Sequence, residues 1–70
     1  MDEVRVFYDR RGRTLTVWFG DPLRESTSEE TVDEVVLMKD SAGTVIGFEK
    51  LNFSGPEPEH LRVTLETVPN

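Results

Sequence analysis

Apolar and polar positions alternate along much of this chain in short runs, the period-2 pattern of strands. "VRVFY" (4–8) and "TLTVWF" (14–19) alternate and are rich in β-branched and aromatic residues, which predicts two strands. "DRRGR" between them carries Gly12, placed for a turn that needs a positive φ. Pairing Tyr8 with Leu15, Val6 with Val17 and Val4 with Phe19 collects six apolar residues on one face, and a one-residue slip would mix them with Thr14, Thr16 and Trp18. The opposite face then holds Arg5, Phe7, Thr16 and Trp18. "VVLMK" (35–39) and "TVIGFEKL" (44–51) predict a second hairpin across "DSAG", with Gly43 suited to the left-handed position after a type I turn. Pairing Asp40 with Thr44 puts Val36, Met38, Ile46 and Phe48 on one face and Val35, Leu37, Val45, Gly47 and Glu49 on the other, so both faces are apolar over half the hairpin. Gly47 inside a strand predicts a bulge, or the close approach of a backbone or ring.

The connecting segments are less regular. "GDPLRESTS" (20–28) is a loop opened by the Asp21-Pro22 turn. "STSE" (26–29) has the form of a capping box, so residues 28–34 read either as a short helical turn or as an edge strand through Glu30–Val32. "NFSGPEPEH" (52–60) is a Pro/Gly loop, and "LRVTLETV" (61–68) alternates as a fifth strand that would cover a sheet face or extend an edge. The whole chain, 1–70, is expected to be one mainly β domain, a small antiparallel β-meander of four to five strands in two hairpins with at most one short helical turn.

Composition changes this picture in one direction. A chain of 70 residues buries only about 60 % of its unfolded surface, so its core is marginal and needs a staple. There is no cysteine for disulfides, and His60 is the single histidine, which argues against structural zinc. Oligomerisation or a protein partner is the staple that is left. The net charge of −6 disfavours nucleic acid, no apolar run reaches a membrane span, and the acidic, alternating start "MDEVRVFYD" is unlike a signal peptide. A cytoplasmic setting suits a cysteine-free chain. Residues 1–24 carry a net +1, 25–40 carry −5 and 41–70 carry −2, so "ESTSEETVDE" is the acidic patch.

Candidate chemistry is sparse. The serines (26, 28, 41 and 54) fall in loops, no phosphate-binding or EF-hand pattern is present, and no cofactor or metal is expected. "RRGR" (10–13) reads as a solvated turn with arginine packed on Trp18, ahead of a base-stacking patch. "NFS" (52–54) matches the glycosylation pattern by chance, and Glu49 marks the wet end of its face or pairs with an arginine.

"YD" (8–9), "LTVWF" (15–19), "GDPLRES" (20–26) and "VVLMKDSAGTVIGFEKLNFS" (35–54) resemble a small prokaryotic domain family of unknown function. Its members read Y-D-x-x-x-D-x-L-Y-I-x-L, then a Ser/Glu-rich segment, then G-V-x-L-D-Y-D-x-x-G-x-V-V-G-I-E-I-L. Arg13 stands at the family's second Asp, Asp33-Glu34 at its Pro-Gly, and Lys39 and Lys50 at its Tyr and an aliphatic position. Because such genes sit beside small toxin-like proteins, the resemblance implies an antitoxin-like module that neutralises a basic partner. It defines no catalytic residue.

The expected function is therefore a non-enzymatic protein-interaction module. Its partners are the chain itself, as a homodimer or higher, and a small basic protein. The interface candidates are Arg5, Phe7, Trp18 and Leu37 as an aromatic and apolar patch, and Glu29, Glu30, Asp33 and Glu34 as an acidic one.

Overall fold

The computed structural model describes residues 3–53 and 61–69. Five antiparallel strands form one open sheet: β1 (Arg5–Asp9), β2 (Thr14–Trp18), β3 (Thr27–Glu30), β4 (Val35–Lys39) and β5 (Val45–Lys50). Their order is β1-β2-β5-β4-β3, so the first hairpin joins the β3–β4–β5 unit through a β2–β5 pair. This is the antiparallel β class expected from the alternation, and β1 and β3 are its two edges.

The first hairpin has the register read from its pattern, with Val6 opposite Val17 and Tyr8 opposite Leu15. Its turn works differently from the expectation. The left-handed residue is Arg13 (φ 59), not Gly12. Gly12 instead donates its N–H to the Asp9 carboxylate at 2.9 Å, and a Cβ there would stand 2.7 Å from Asp9 Oδ2. The second turn follows its sequence. Gly43 is left-handed (φ 84), and Asp40 Oδ1 accepts the N–H groups of Ala42 (2.9 Å) and Thr44 (3.0 Å), closing an Asx-type turn.

Beyond that turn the predicted register fails after one pair. Lys39 stands opposite Val45 as expected, but Met38 faces Gly47 rather than Ile46. Ile46 is an extra residue, a β-bulge, and its carbonyl accepts the N–H groups of both Phe19 (3.0 Å) and Gly20 (2.9 Å). Two acceptances from the chain leaving β2 fix the bulge. Every β4 side chain thereby changes face relative to the first half of the sheet. Phe48 joins Leu37, and Gly47 and Glu49 join Met38 and Val36.

The segment 27–30 is an edge strand, and it does not use "STSE" as a helix cap. Ser28 Oγ donates to Glu25 Oε2, and the strand, displaced from the expected 30–32, pairs Thr27 with Lys39 and Glu30 with Val36. The short helical turn falls earlier, at Pro22–Arg24, where Asp21 caps the N–H of Leu23 at 3.0 Å. Residues 61–69 form no strand. Alternation makes a segment competent to pair, but a strand exists only where an edge takes its hydrogen bonds, and neither edge of this sheet takes those of 61–69. The readings of Ser54, of His60 and of most of the 52–60 loop lie outside the described residues.

Candidate interaction surface

Residues directly opposite in neighbouring strands share a face, so the ladders sort the side chains. One face carries Val6, Tyr8, Leu15, Val17, Phe48, Leu37 and Val35. We term it the aliphatic face. The other carries Arg5, Phe7, Thr16, Trp18, Gly47, Glu49, Met38 and Val36. On this tryptophan face the Trp18 ring lies against Gly47, where a Cβ would meet Trp18 Cε3 at 2.7 Å. Both signals carried by Gly47 are thus realised, a bulge beside it and a ring over it. The Arg5 guanidinium sits 5.2 Å from the centre of the Phe7 ring, a cation–π contact. This contact joins two residues of β1 itself, apart from the arginines of the 10–13 turn expected on Trp18. Glu49 accepts a hydrogen bond from Thr16 Oγ1 (3.3 Å) across the β2–β5 pair, and that hydroxyl, not an arginine, is its partner.

Of the expected apolar patch, Arg5, Phe7 and Trp18 lie together, but Leu37 does not join them. It stands opposite Phe48 on the aliphatic face, because the Ile46 bulge slips β4 by one residue. Tyr8 on that face meets Phe53 edge-to-face at 5.7 Å, and Phe53 N–H donates to Arg13 O at 2.7 Å, so the chain after β5 folds back over the first hairpin. Sequence reasoning missed this contact. Met38 (5 % exposed) and Ile46 (7 %) are the buried hydrophobic residues among those described, while Phe7 is 49 % and Val6 39 % exposed.

The acidic candidates gather at the other end of the sheet. Glu29 pairs with Lys39 across β3–β4. Glu34, left-handed at φ 58, lies 3.6 Å from Lys50 Nζ and accepts from Asn52 Nδ2 at 3.0 Å. Among the described residues, the side chains of Glu30 and Asp33 have no partner. An open depression of about 180 Å³ lies between Glu30–Val32 and Val35, Val36 and Leu51. No group of three His, Cys, Asp or Glu converges among the described residues, and none of their helices is long and apolar enough to cross a membrane.

No curated protein and no solved structure matches the chain. A family model described as "Protein of unknown function (DUF2283)" matches residues 5–54, the span that runs from the first residue of β1 to just past β5. The chain belongs to this family.

Proposed function

We propose that the chain is a non-enzymatic protein-interaction module, a sheet that becomes a stable domain when another polypeptide covers it. One observation carries this reading: in a five-stranded sheet with large apolar side chains on both faces, Met38 and Ile46 are the only large apolar residues among those described that are exposed by less than a tenth. Stable domains pack at least two layers around a core, and this sheet has one. Its accessible surface is 5887 Å². A compact chain of 8.0 kDa exposes about 4,500 Å². The excess, about 1,400 Å², is more than the roughly 800 Å² that one partner buries in a standard interface. Self-association is the simplest way to cover it, and a cytoplasmic setting suits a cysteine-free chain. Equilibrium unfolding at protein concentrations spanning two decades, with light scattering on the native sample, tests it. The midpoint is expected to rise with concentration. A monomer with a concentration-independent midpoint overturns the reading.

The acidic end supports a second partner, a small basic protein. Glu30 and Asp33 project charge that the sheet itself does not use, and fields of this kind steer basic partners and weaken with salt. An antitoxin-like role, implied by the family resemblance, would use this end of the sheet. Co-expression with a neighbouring toxin-like protein, followed by elution at increasing salt, tests it. A complex that survives 1 M salt unchanged argues against the acidic end as its seat.

A further inference from the structure

Two unsatisfied features of this chain are complementary to each other. The first is the outer edge of β1, which has no neighbouring strand. Its residues alternate between Val6 and Tyr8 on the aliphatic face and Arg5, Phe7 and Asp9 on the tryptophan face. The second is the segment 61–69, which alternates apolar and polar residues yet pairs with no strand among the described residues: Val63 is 64 % and Leu65 93 % exposed. Laid antiparallel to β1 with Thr64 opposite Phe7, the segment puts Leu65 beside Val6 and Val63 beside Tyr8. It also puts Glu66 beside Arg5 and Arg62 beside Asp9. Both apolar pairs then fall on the aliphatic face and both opposite-charge pairs on the tryptophan face. Such cross-strand pairs are the unit of sheet stabilisation. None of the four charged residues has an ion-pair partner among the described residues, and Asp9 keeps its second carboxylate oxygen free of the Gly12 bond.

The register is specific. Moving the segment two residues one way sets Glu66 against Glu3, and two residues the other way sets Arg62 against Arg11. A one-residue slip sets Leu65 against Arg5 and Arg62 against Tyr8. The other edge does not compete. β3 offers Thr27, Ser28, Glu29 and Glu30, with no apolar residue for Val63 or Leu65.

We infer that residues 61–67 of a second copy of this chain add to the β1 edge, and that the exchange is reciprocal, giving a closed two-fold dimer with a sixth strand on each sheet. The segment is exposed and the β1 edge is open, and a second copy supplies the same segment without the constraint of its attachment. The inference rests on the reading of the chain as an interaction module and names the partner and the edge.

The absence of cysteine makes single thiols clean reporters. Opposite positions in an antiparallel pair bring Cα atoms to about 4.5–5.5 Å, within disulfide range. Val6→Cys and Leu65→Cys chains are mixed in a glutathione redox buffer and compared with each alone. The mixture is expected to give a disulfide-linked 6–65 heterodimer at least about tenfold in excess of either homodimer. The double variant V6C/L65C is expected to run as a linked dimer. Cross-linking within one chain, self-linking of V6C as fast as the mixture, or no cross-link at all overturns the exchange. A non-cross-linking chain that still shows a concentration-dependent midpoint keeps the module reading, so the two failures are distinguishable. Because both positions are exposed, folding is checked directly by the Trp18 near-ultraviolet signal. As a second measure, R5E and E66R each weaken the dimer about tenfold in sedimentation equilibrium, and R5E/E66R together recover it. Failure of the double variant to recover counts against the register.

Discussion

Trp18 packs against Gly47 across the β2–β5 pair so closely that a methyl group on Gly47 would stand 2.7 Å from Trp18 Cε3 and 2.7 Å from the Val17 carbonyl oxygen. The ring can move, but the carbonyl belongs to the ladder and cannot. Gly47→Ala is therefore expected to destabilise the fold by about 1–3 kcal/mol, in the range of overpacking in a filled site. In a Trp18→Ala background the same change should cost less without becoming neutral, because the carbonyl clash persists. Urea unfolding of the four chains of this cycle reads the coupling.

The contact also marks how far the sequence could be read. Alternation and turn residues sufficed for the first hairpin's register, for both turns' positions and for the antiparallel class. Gly47 announced that something approached β5. What no local pattern contained was the position of the extra residue. Ile46 is as apolar as its neighbours, and it becomes the bulge because its carbonyl is claimed twice, by Phe19 and Gly20, from the chain leaving β2 far earlier in the sequence. One inserted residue moves Leu37 from the side of Trp18 to the side of Phe48. The segment 61–68 shows the converse, since its alternation is real but it forms no strand.

The two left-handed turn positions should respond in opposite ways. Arg13 holds φ 59, a conformation that costs an L-residue about 1–2 kcal/mol, whereas Gly43 holds φ 84 with open space around it. Arg13→Gly is expected to raise stability by about 0.5–1 kcal/mol. Gly43→Ala is expected to lower it by about 1–2 kcal/mol through backbone strain alone. Parallel thermal melts at one protein concentration decide this, and a stabilising Gly43→Ala would show that the second turn is not left-handed.

Asp40 carries the second turn through two accepted hydrogen bonds, from Ala42 and Thr44. Asp40→Ala removes both acceptors and is expected to cost about 1–2 kcal/mol, while Asp40→Asn retains a carbonyl oxygen and should cost less than half as much. Amide hydrogen exchange localises the effect. Protection should fall first at Ala42 and Thr44, and an equal loss at the Arg13 turn would mean that the change acts globally instead.

Glu30 and Asp33 separate binding from folding. Neither side chain has a partner among the described residues, whereas Glu29 is paired with Lys39. Glu29→Gln should therefore cost up to about 1 kcal/mol and become neutral in high salt, as an exposed ion pair does. Glu30→Lys with Asp33→Lys should leave stability within about 0.5 kcal/mol, because it breaks nothing in the sheet. The same double reversal adds four charge units to a net charge of −6, all at one end of the molecule. With a lysine-rich peptide as the probe, isothermal titration at low salt should show binding to the parent chain and a loss of at least about tenfold in the variant. Equal binding by both would place any basic partner elsewhere on the surface, and the acidic end would then serve only to keep the β3 edge from pairing with a neighbour.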